Sequence, residues 1–251
     1  MEIRRKPFQG VWNIIRFNWH FYAIVLLVFC LIFLFKGFLS VNYQIILQIG
    51  AFIMLAITAI SLLVSYYIYD VSDLYQLKWI KISGNKKIIN INAGFDETSE
   101  LIKQINPKID LTVCDFYEEK KHTEVSIKRG RKAYPPFSNT ISVQTNYLPF
   151  ADETFDLTVA ILSAHEIRNE EERILFFKEL NRITKSSGEI IITEHLRDFN
   201  NFMAYTIGFF HFHSRRTWLK TFRESNLIVN KEIKTTPFIT TFILRKDGST
   251  V

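Results

Sequence analysis

Residues 87–117, which read KIININAGFDETSELIKQINPKIDLTVCDFY, decide the fold of this chain. They contain two apolar runs, separated by a short turn at residues 92–94 and a helical segment that Asp96 opens. This pattern predicts a strand, a turn, a helix and a parallel strand that ends in Asp115. In a doubly wound sheet, such a turn lies beneath the ligand and such an acid meets its ribose hydroxyls. The stretch therefore predicts a nucleoside-binding site.

Strands and helices continue to alternate after this stretch. Further strands are predicted at residues 140–143, 155–162 and 189–193, and helices at residues 123–132, 170–184 and 214–225. Two final runs, residues 227–234 and 238–245, predict a terminal antiparallel hairpin. Such alternation is typical of an α/β fold with a mostly parallel sheet that helices cover on both faces.

Most of the charge-free apolar sequence precedes residue 70. Two predicted helices, at about residues 19–39 and 44–67, are each long enough to cross a bilayer. A signal peptide would end in a small-residue cleavage site, which does not follow Phe35, and a core hairpin would show polar positions at helical spacing. We therefore predict a two-helix transmembrane hairpin within residues 1–69 and a separate domain at residues 70–251, joined by a short helix at residues 70–82.

The basic residues cluster near the predicted spans. The net charge is +6, and residues 1–69 contribute +4 of it, from Arg4, Arg5, Lys6, Arg16 and Lys36 against Glu2. Because this charge flanks a membrane segment, we expect no nucleic-acid partner. Basic residues near the ends of membrane spans stay on the cytoplasmic side. We therefore expect a multi-pass protein of the inner membrane, with both termini and the domain at residues 70–251 in the cytoplasm. Cys30 and Cys114 lack metal-ligand spacing, and no metal site is predicted.

Two sequence blocks resemble the class I S-adenosylmethionine-dependent methyltransferases, in the type 11 branch. The first, YLPFADETFDLTVAILSAHEI at residues 147–167, resembles the family's LPF-x-D-x-x-FD loop and fourth strand; the second, ELNRITKSSGEIIITEHLRD at residues 179–198, resembles its fifth-strand turn and strand. The resemblance covers about residues 82–246. It implies a doubly wound, seven-stranded Rossmann-like methyltransferase sheet with a terminal antiparallel hairpin, and S-adenosyl-L-methionine as cofactor.

The resemblance also implies the cofactor site. The family's first-strand motif, D-x-G-x-G-x-G, is replaced by Asn90, Asn92, Gly94 and Asp96, so one glycine survives and the first charge is lost. Asp115 occupies the position of the family's acid that binds the ribose hydroxyls. Gln144 occupies the position where the family often has an acid that binds the adenine amino group. The implied cofactor-binding residues are Asn90, Asn92, Ala93, Gly94, Asp115, Phe116, Gln144, Thr145 and Asn146.

Methyl transfer needs alignment and, for a protonated nucleophile, a base. Candidates follow the fourth and fifth strands, and the predicted catalytic residues are His165, Glu166 and His195. His165 ranks first because the end of the fourth strand faces the methyl group in this family. Residues 198–213 form an aromatic loop that is either a plug on the core or the wall of an apolar pocket. Next to a membrane anchor, an apolar pocket predicts a lipophilic acceptor, such as a quinone, a lipid or a polyene-type aromatic molecule.

Two other functions remain open at this level. The eroded glycine motif also fits a non-catalytic interaction or sensing module that is tethered to the membrane. A basic helix with Lys128, Arg129, Arg131 and Lys132 also fits a methyltransferase for protein or nucleic acid, although such a cluster equally fits contact with membrane lipid. Small residues around Gly50 would allow a homo-oligomer through the hairpin.

Overall fold

The computed structural model describes residues 5–82, 84–122 and 124–248. Arg4, which counts among the basic residues, and Thr123, where a helix was expected to begin, lie outside them. The helices are α1 (Gln9–Phe17), α2 (Trp19–Phe35), α3 (Val41–Tyr66), α4 (Ser99–Ile105), α5 (Val125–Ala133), α6 (Glu170–Ile183), α7 (Phe199–Tyr205) and α8 (Arg215–Glu224). The strands are β1 (Lys87–Asn92), β2 (Asp110–Asp115), β3 (Ile141–Ser142), β4 (Phe155–Ile161), β5 (Thr184–His195), β6 (Leu227–Lys234) and β7 (Ile239–Lys246).

The strands form one seven-stranded sheet in the order β3-β2-β1-β4-β5-β7-β6. Only β7 runs antiparallel to its neighbours, which confirms the predicted doubly wound sheet with a terminal hairpin. The strand order reverses between β1 and β4, because β1 pairs with both β2 and β4. Asn92 pairs with Asp115 in the β1 and β2 register, so both lie at the carboxyl edge where ligands bind such sheets.

Helices cover both faces of the sheet. On one face, α6 and α8 bury a cluster that includes Phe177, Trp218 and Phe222, all at most 1% exposed. On the other face, Ile88 and Ile102 join a second cluster with the segment that follows the apolar helices. Burying large side chains of this kind contributes about 1.5–3 kcal/mol each. The two clusters make the edge of the sheet a rigid base for the site.

The two apolar helices have almost no protein cover. The segments Trp19–Phe38 and Val41–Gln76 have mean hydropathies of 2.5 and 2.4, and 0% and 6% of their most apolar windows are buried. Phe52 of α3 packs edge-on against Phe29 and Phe33 of α2, so the helices contact each other through aromatic rings. By length and composition, both helices are long enough and apolar enough to cross a membrane.

Two local predictions were wrong. Residues 70–82 do not form one short helix: a π-helical turn (Tyr67–Val71) and a 3-10 turn (Asp73–Gln76) are separated by Ser72 in an extended conformation. Residues 198–213 are not a loop, because they contain α7 and a 3-10 segment (Thr206–His211). Asp198 makes this helix possible, since its side chain accepts a hydrogen bond from the Asn201 amide and caps α7.

Helix α1 is held by the segment that follows α3. The amides of Gly10 and Val11 each donate to the Asp70 carboxylate over 2.7 Å. A side chain at Gly10 would collide with Tyr69, so glycine allows this close approach. The cap of α1 therefore comes from a residue that lies sixty positions later in the chain.

Candidate functional site

The turn after β1 keeps glycine at the position that requires it. Asn92 Oδ1 accepts a hydrogen bond from the Gly94 amide over 2.8 Å, and Gly94 has φ +91°. This left-handed conformation is unfavourable for residues with a Cβ atom, and a Cβ here would also collide with Arg131 and Tyr117. Asparagine thus shapes the turn by its side chain, where the family uses a further glycine.

The residues around this turn retain unused acceptors. Asn90 Nδ2 donates to Thr98 Oγ1 (2.9 Å) and Ser99 Oγ (2.8 Å), while Asn90 Oδ1 is buried without a partner among the described residues. The same holds for Asp96 Oδ2. Buried acceptors without partners are costly unless a ligand supplies donors. An ammonium group, such as the one on the methionyl end of S-adenosylmethionine, is a donor that either oxygen could accept from.

Asp115 lies at the end of β2 and already has a partner within the protein. Its Oδ1 accepts from the Tyr117 amide over 2.8 Å, and its Oδ2 forms a short ion pair with Arg131. The guanidinium also lies 4.4 Å from the centre of the Tyr117 ring. Arg131 therefore occupies the oxygen that the resemblance assigns to a ribose hydroxyl. Its side chain is 38% exposed, so it can swing outward without disturbing the core.

A cavity of about 160 Å³ follows Asp115 along the sheet edge. Phe116, Gln144 and Thr145 line it as predicted, whereas Asn146 is exposed and lies outside it. The lining residues that sequence reasoning missed are Tyr117, Glu118, His122, Ser142, Val143 and Glu172. Glu172 lies in the first turn of α6 and accepts a hydrogen bond from the Thr145 hydroxyl. In the sequence it is visible only as one of the acidic residues that begin this helix.

A second cavity, of about 940 Å³, lies between the sheet edge and the apolar helices. Its walls include Asn92 of the cofactor turn and all three predicted catalytic residues. The opposite wall belongs to the hairpin, through Phe21, Tyr22, Val25, Ile53, Met54 and Ile57. The aromatic segment after β5 closes one side with Tyr205, Ile207 and Phe212. This volume lies in the range of small-molecule sites, about 300–1,000 Å³.

His165 is held between two carboxylates. It lies in the turn after β4, with Nδ1 2.6 Å from Glu194 Oε2 and Nε2 3.2 Å from Glu166 Oε1. Burial lowers the pKa of His165, but the two carboxylates outweigh it and raise this pKa to about 10. Burial also acts on Glu166, yet its hydrogen bonds from His165 and His211 hold its pKa well below the usual range. His165 is therefore an imidazolium at neutral pH and has no free lone pair for a proton.

His195 has the opposite environment. Burial lowers its pKa to about 4, so the ring is neutral. Its Nδ1 lies 2.9 Å from Asn201 Oδ1 and its Nε2 lies 2.9 Å from the Tyr69 hydroxyl. Since Asn201 Oδ1 can only accept, Nδ1 carries the hydrogen and Nε2 accepts from Tyr69. The structure thus brings a neutral imidazole and a phenol together at the cavity, and only their separation of 126 residues hid Tyr69 from sequence reasoning.

Comparisons with known proteins agree with this geometry. Residues 93–192 match the family model described as methyltransferase domain, type 11. Over 124 residues the chain is 28% identical to the ubiquinone/menaquinone biosynthesis C-methyltransferase UbiE of Geotalea uraniireducens (strain Rf4), covering 48% of this chain and 50% of the relative. The corresponding protein of Geotalea daltonii is 27% identical over the same length. The chain thus spans about half the length of these curated relatives.

A solved structure shows the same fold. The S-adenosylmethionine-dependent methyltransferase of Aquifex aeolicus superposes with a TM-score of 0.54, at 15% identity, over 75% of this chain and 97% of that one. At this identity the likeness establishes the fold, and the family match begins just after β1 and covers Gly94, β2, β4 and most of β5. Residues 93–192 therefore match the methyltransferase domain family, and the sheet has the fold of an S-adenosylmethionine-dependent methyltransferase, whose cofactor is S-adenosylmethionine.

Proposed function

We propose that this chain is a membrane-anchored methyltransferase that transfers the methyl group of S-adenosylmethionine to a lipophilic acceptor. The observation that carries the proposal is the cavity of about 940 Å³, which the cofactor turn and the apolar helices line together. A soluble acceptor would not need an apolar membrane hairpin as one wall of its pocket. The relatives named as quinone C-methyltransferases support a prenylated hydroquinone as the first acceptor to test.

The residues of the cofactor site have separate roles. When bound, S-adenosylmethionine supplies an activated methyl group. Asp115 would accept the ribose hydroxyls after Arg131 moves away, and the free oxygens of Asn90 and Asp96 would accept from the ammonium group. The cavity beside Gln144 would take the adenine ring. These contacts fix the cofactor, so the remaining task of the protein is to align the acceptor and exclude water.

The acceptor atom forms its new bond to the methyl carbon as the bond from that carbon to sulfur breaks. A hydroxyl or ring-carbon nucleophile loses a proton in this reaction, and the chain must accept it. We assign this role to His195, with Tyr69 as the group that relays the proton, because His195 is neutral whereas His165 is already protonated. His165 and Glu166 would then position the acceptor rather than act as the base. In this proposal all three predicted catalytic residues belong to the site, but only His195 acts as the base.

The alternative of a non-catalytic module rests on one observation, the contact of Arg131 with Asp115. If Arg131 never leaves, the domain cannot bind the cofactor. The basic helix α5 gives less support to a macromolecular substrate. Arg131 pairs with Asp115, Lys128 pairs with Glu119, and Arg129 donates to the backbone oxygen of Phe17 over 2.6 Å.

The test uses the full chain in lipid nanodiscs, because residues of α1 and the hairpin line the site. Calorimetry should show saturable binding of S-adenosylmethionine and S-adenosylhomocysteine, and Asp115→Ala should lose it. Transfer of a labelled methyl group should then occur to a hydroquinone with an isoprenoid tail, and far more slowly to the same ring without the tail. Equal rates with both rings would contradict the lipophilic acceptor. Absence of cofactor binding by the folded chain would establish the non-catalytic alternative instead.

A further inference from the structure

Three side chains in the wall of the large cavity point their donor atoms at one another. His165, Glu166 and His211 each offer one ligand atom, and these atoms all lie within 4.8 Å of one another. Glu166 Oε1 lies 3.2 Å from His165 Nε2 and 3.3 Å from His211 Nε2. The two rings meet edge to face with their centres 5.0 Å apart. Two imidazoles and one carboxylate therefore converge on a single point.

Two of the three distances among these atoms match a metal coordination shell, and the third lies within 4.8 Å. Bonds of about 2.0–2.2 Å from a divalent metal to nitrogen and oxygen separate neighbouring ligand atoms by about 3.3–3.5 Å at tetrahedral angles. Both measured distances to Glu166 Oε1 lie within about 0.2 Å of this range. Small side-chain rotations therefore suffice to admit the ion.

The outer nitrogen of His165 has the partner that metal-bound histidines use, and the outer nitrogen of His211 lies between a carboxylate and a guanidinium. His165 Nδ1 lies 2.6 Å from the buried carboxylate of Glu194, and His211 Nδ1 lies 3.0 Å from Glu124. Carboxylates in this position fix the tautomer, so that Nε2 faces the metal, and they make the imidazole a better ligand. Arg168 also contacts His211 at Nδ1 and at the backbone oxygen.

The local charge suits a divalent cation. Glu124, Glu166 and Glu194 contribute three negative charges, against the positive charges of Arg168 and the His165 imidazolium, and a bound metal would displace the proton on His165 Nε2. Two imidazoles with one carboxylate are typical of zinc and of iron or manganese sites that keep an open position. The three residues line the large cavity, so an open position would face the acceptor.

We propose that His165, Glu166 and His211 form a divalent transition-metal site of the two-histidine, one-carboxylate type. No metal site was expected from the spacing of residues in the sequence. Metal binding itself does not depend on the proposed function. If that function holds, the ion would bind an oxygen of the acceptor, which limits acceptors to those with a hydroxyl or carbonyl beside the methylated atom and stabilises the developing oxyanion.

The test measures the metal directly on the full chain in nanodiscs, after treatment with a chelator. Addition of Co²⁺ should give a saturable visible absorption band with about one equivalent per chain, and Zn²⁺ should displace it. His211→Ala is the main variant because its side chain is partly exposed and tolerates truncation, and its affinity for Co²⁺ should fall at least tenfold. Glu124→Gln should weaken Co²⁺ binding about 10–100-fold. His20→Ala, which changes a histidine outside the cluster, should bind Co²⁺ like the wild type.

The outcomes separate this proposal from the proposed function. Absence of saturable Co²⁺ binding to the folded chain would overturn the metal site, and so would equal binding by His211→Ala and the wild type. Binding of S-adenosylhomocysteine, measured on the same chelator-treated sample, should persist without metal because the cofactor contacts are different residues. Co²⁺ binding without any methyl transfer would support the metal site and contradict the proposed function. Methyl transfer by a chain that binds no Co²⁺ would support the proposed function and contradict the metal site.

Discussion

At the scale of single residues, the contact between Arg131 and Asp115 lies within the candidate cofactor site. The Asp115 side chain is 12% exposed and that of Arg131 is 38% exposed, so water reaches the pair. Ion pairs at such positions are typically worth about 0–1 kcal/mol. A cofactor that supplies two hydroxyls and an ammonium group can therefore displace the guanidinium. If the cofactor binds at Asp115 as proposed, Arg131 would lower the affinity of the site without closing it.

Removal of Arg131 should accordingly tighten cofactor binding. We expect Arg131→Ala to lower the Kd of S-adenosylhomocysteine about 2–5-fold. The cofactor then no longer has to break the ion pair with Asp115, which is worth up to about 1 kcal/mol. Calorimetry on the full chain measures this change. Lys132→Ala, at the exposed neighbouring position of the same helix, is the matched control and should leave the Kd unchanged. Weaker binding by Arg131→Ala would mean that Arg131 holds the cofactor instead.

The buried histidines predict how stability depends on pH. Burial holds the pKa of His195 at about 4 and that of His213 at about 3, below the unfolded value of about 6.5. Between these values and pH 6.5 the unfolded chain binds more protons, so the free energy of unfolding falls as pH drops below 6.5. His165 has a raised pKa and stays protonated in the folded state, so its contribution to stability grows as pH falls from 7 to 5 and partly offsets this loss.

Denaturant titrations at pH 7 and pH 5 test this expectation. The wild type should lose on the order of 2 kcal/mol or more between the two conditions, because each pKa unit corresponds to about 1.4 kcal/mol. His195→Gln should show a clearly smaller loss, since a glutamine does not titrate. A variant with the same pH dependence as the wild type would exclude His195 as a source of the effect.

At the scale of elements, α3 has two faces with different surroundings. Ile57 lines the large cavity, whereas Ile60, one turn further along, is 44% exposed and does not line it. The same residue type thus meets the proposed acceptor at one position and faces outward at the other. This difference allows the role of the hairpin to be tested without altering the methyltransferase domain.

We expect Ile57→Trp to raise the KM for a tailed hydroquinone about tenfold or more, because an indole would fill part of the acceptor space. Ile60→Trp should leave KM unchanged. Steady-state methyl transfer in nanodiscs measures both variants, and cofactor affinity should be that of the wild type in each. A similar KM for the two variants would show that the acceptor does not use the cavity beside α3.

At the scale of the whole molecule, Asp70 and Glu97 connect the apolar helices to the cofactor loop. Asp70 caps α1 through the amides of Gly10 and Val11. Glu97, next to the cofactor turn, accepts from Arg5 (2.9 Å) and from the Tyr75 hydroxyl (2.8 Å). A domain cut at residue 70 would therefore lose contacts that hold the cofactor loop.

Loss of the Asp70 cap should loosen α1. We expect Asp70→Ala to destabilise the docked helix by about 0.5–2 kcal/mol, which increases hydrogen exchange of the α1 amides about 2–30-fold. Asp73→Ala, which removes a more exposed carboxylate of the same segment, is the control and should leave α1 unchanged. Hydrogen exchange with mass spectrometry measures both. Unchanged exchange in Asp70→Ala would show that other contacts hold α1.

Much of the site followed from local sequence patterns. The turn at Asn92 and Gly94 and Asp115 at the end of β2 lie where the pattern of strands and helices predicted them. These positions follow from strand and helix periodicity, which depends on neighbours within a few residues. Asn146 stays a prediction: it follows the two-residue strand β3, and its side chain is exposed outside the small cavity.

The sequence by itself determined the seven-stranded α/β sheet, the apolar helix pair and the edge of the sheet that carries the cofactor turn, because each follows from periodicity, length and turn chemistry. Only the tertiary structure decided that Arg131 meets Asp115, that Tyr69 meets His195, and that His211 faces His165 and Glu166. The partners in these contacts come from separate elements, and the contacts depend on how helices pack and which rotamers that packing allows. No local sequence pattern predicts contacts between distant residues, so the chemistry of the large cavity could be inferred only from the folded chain.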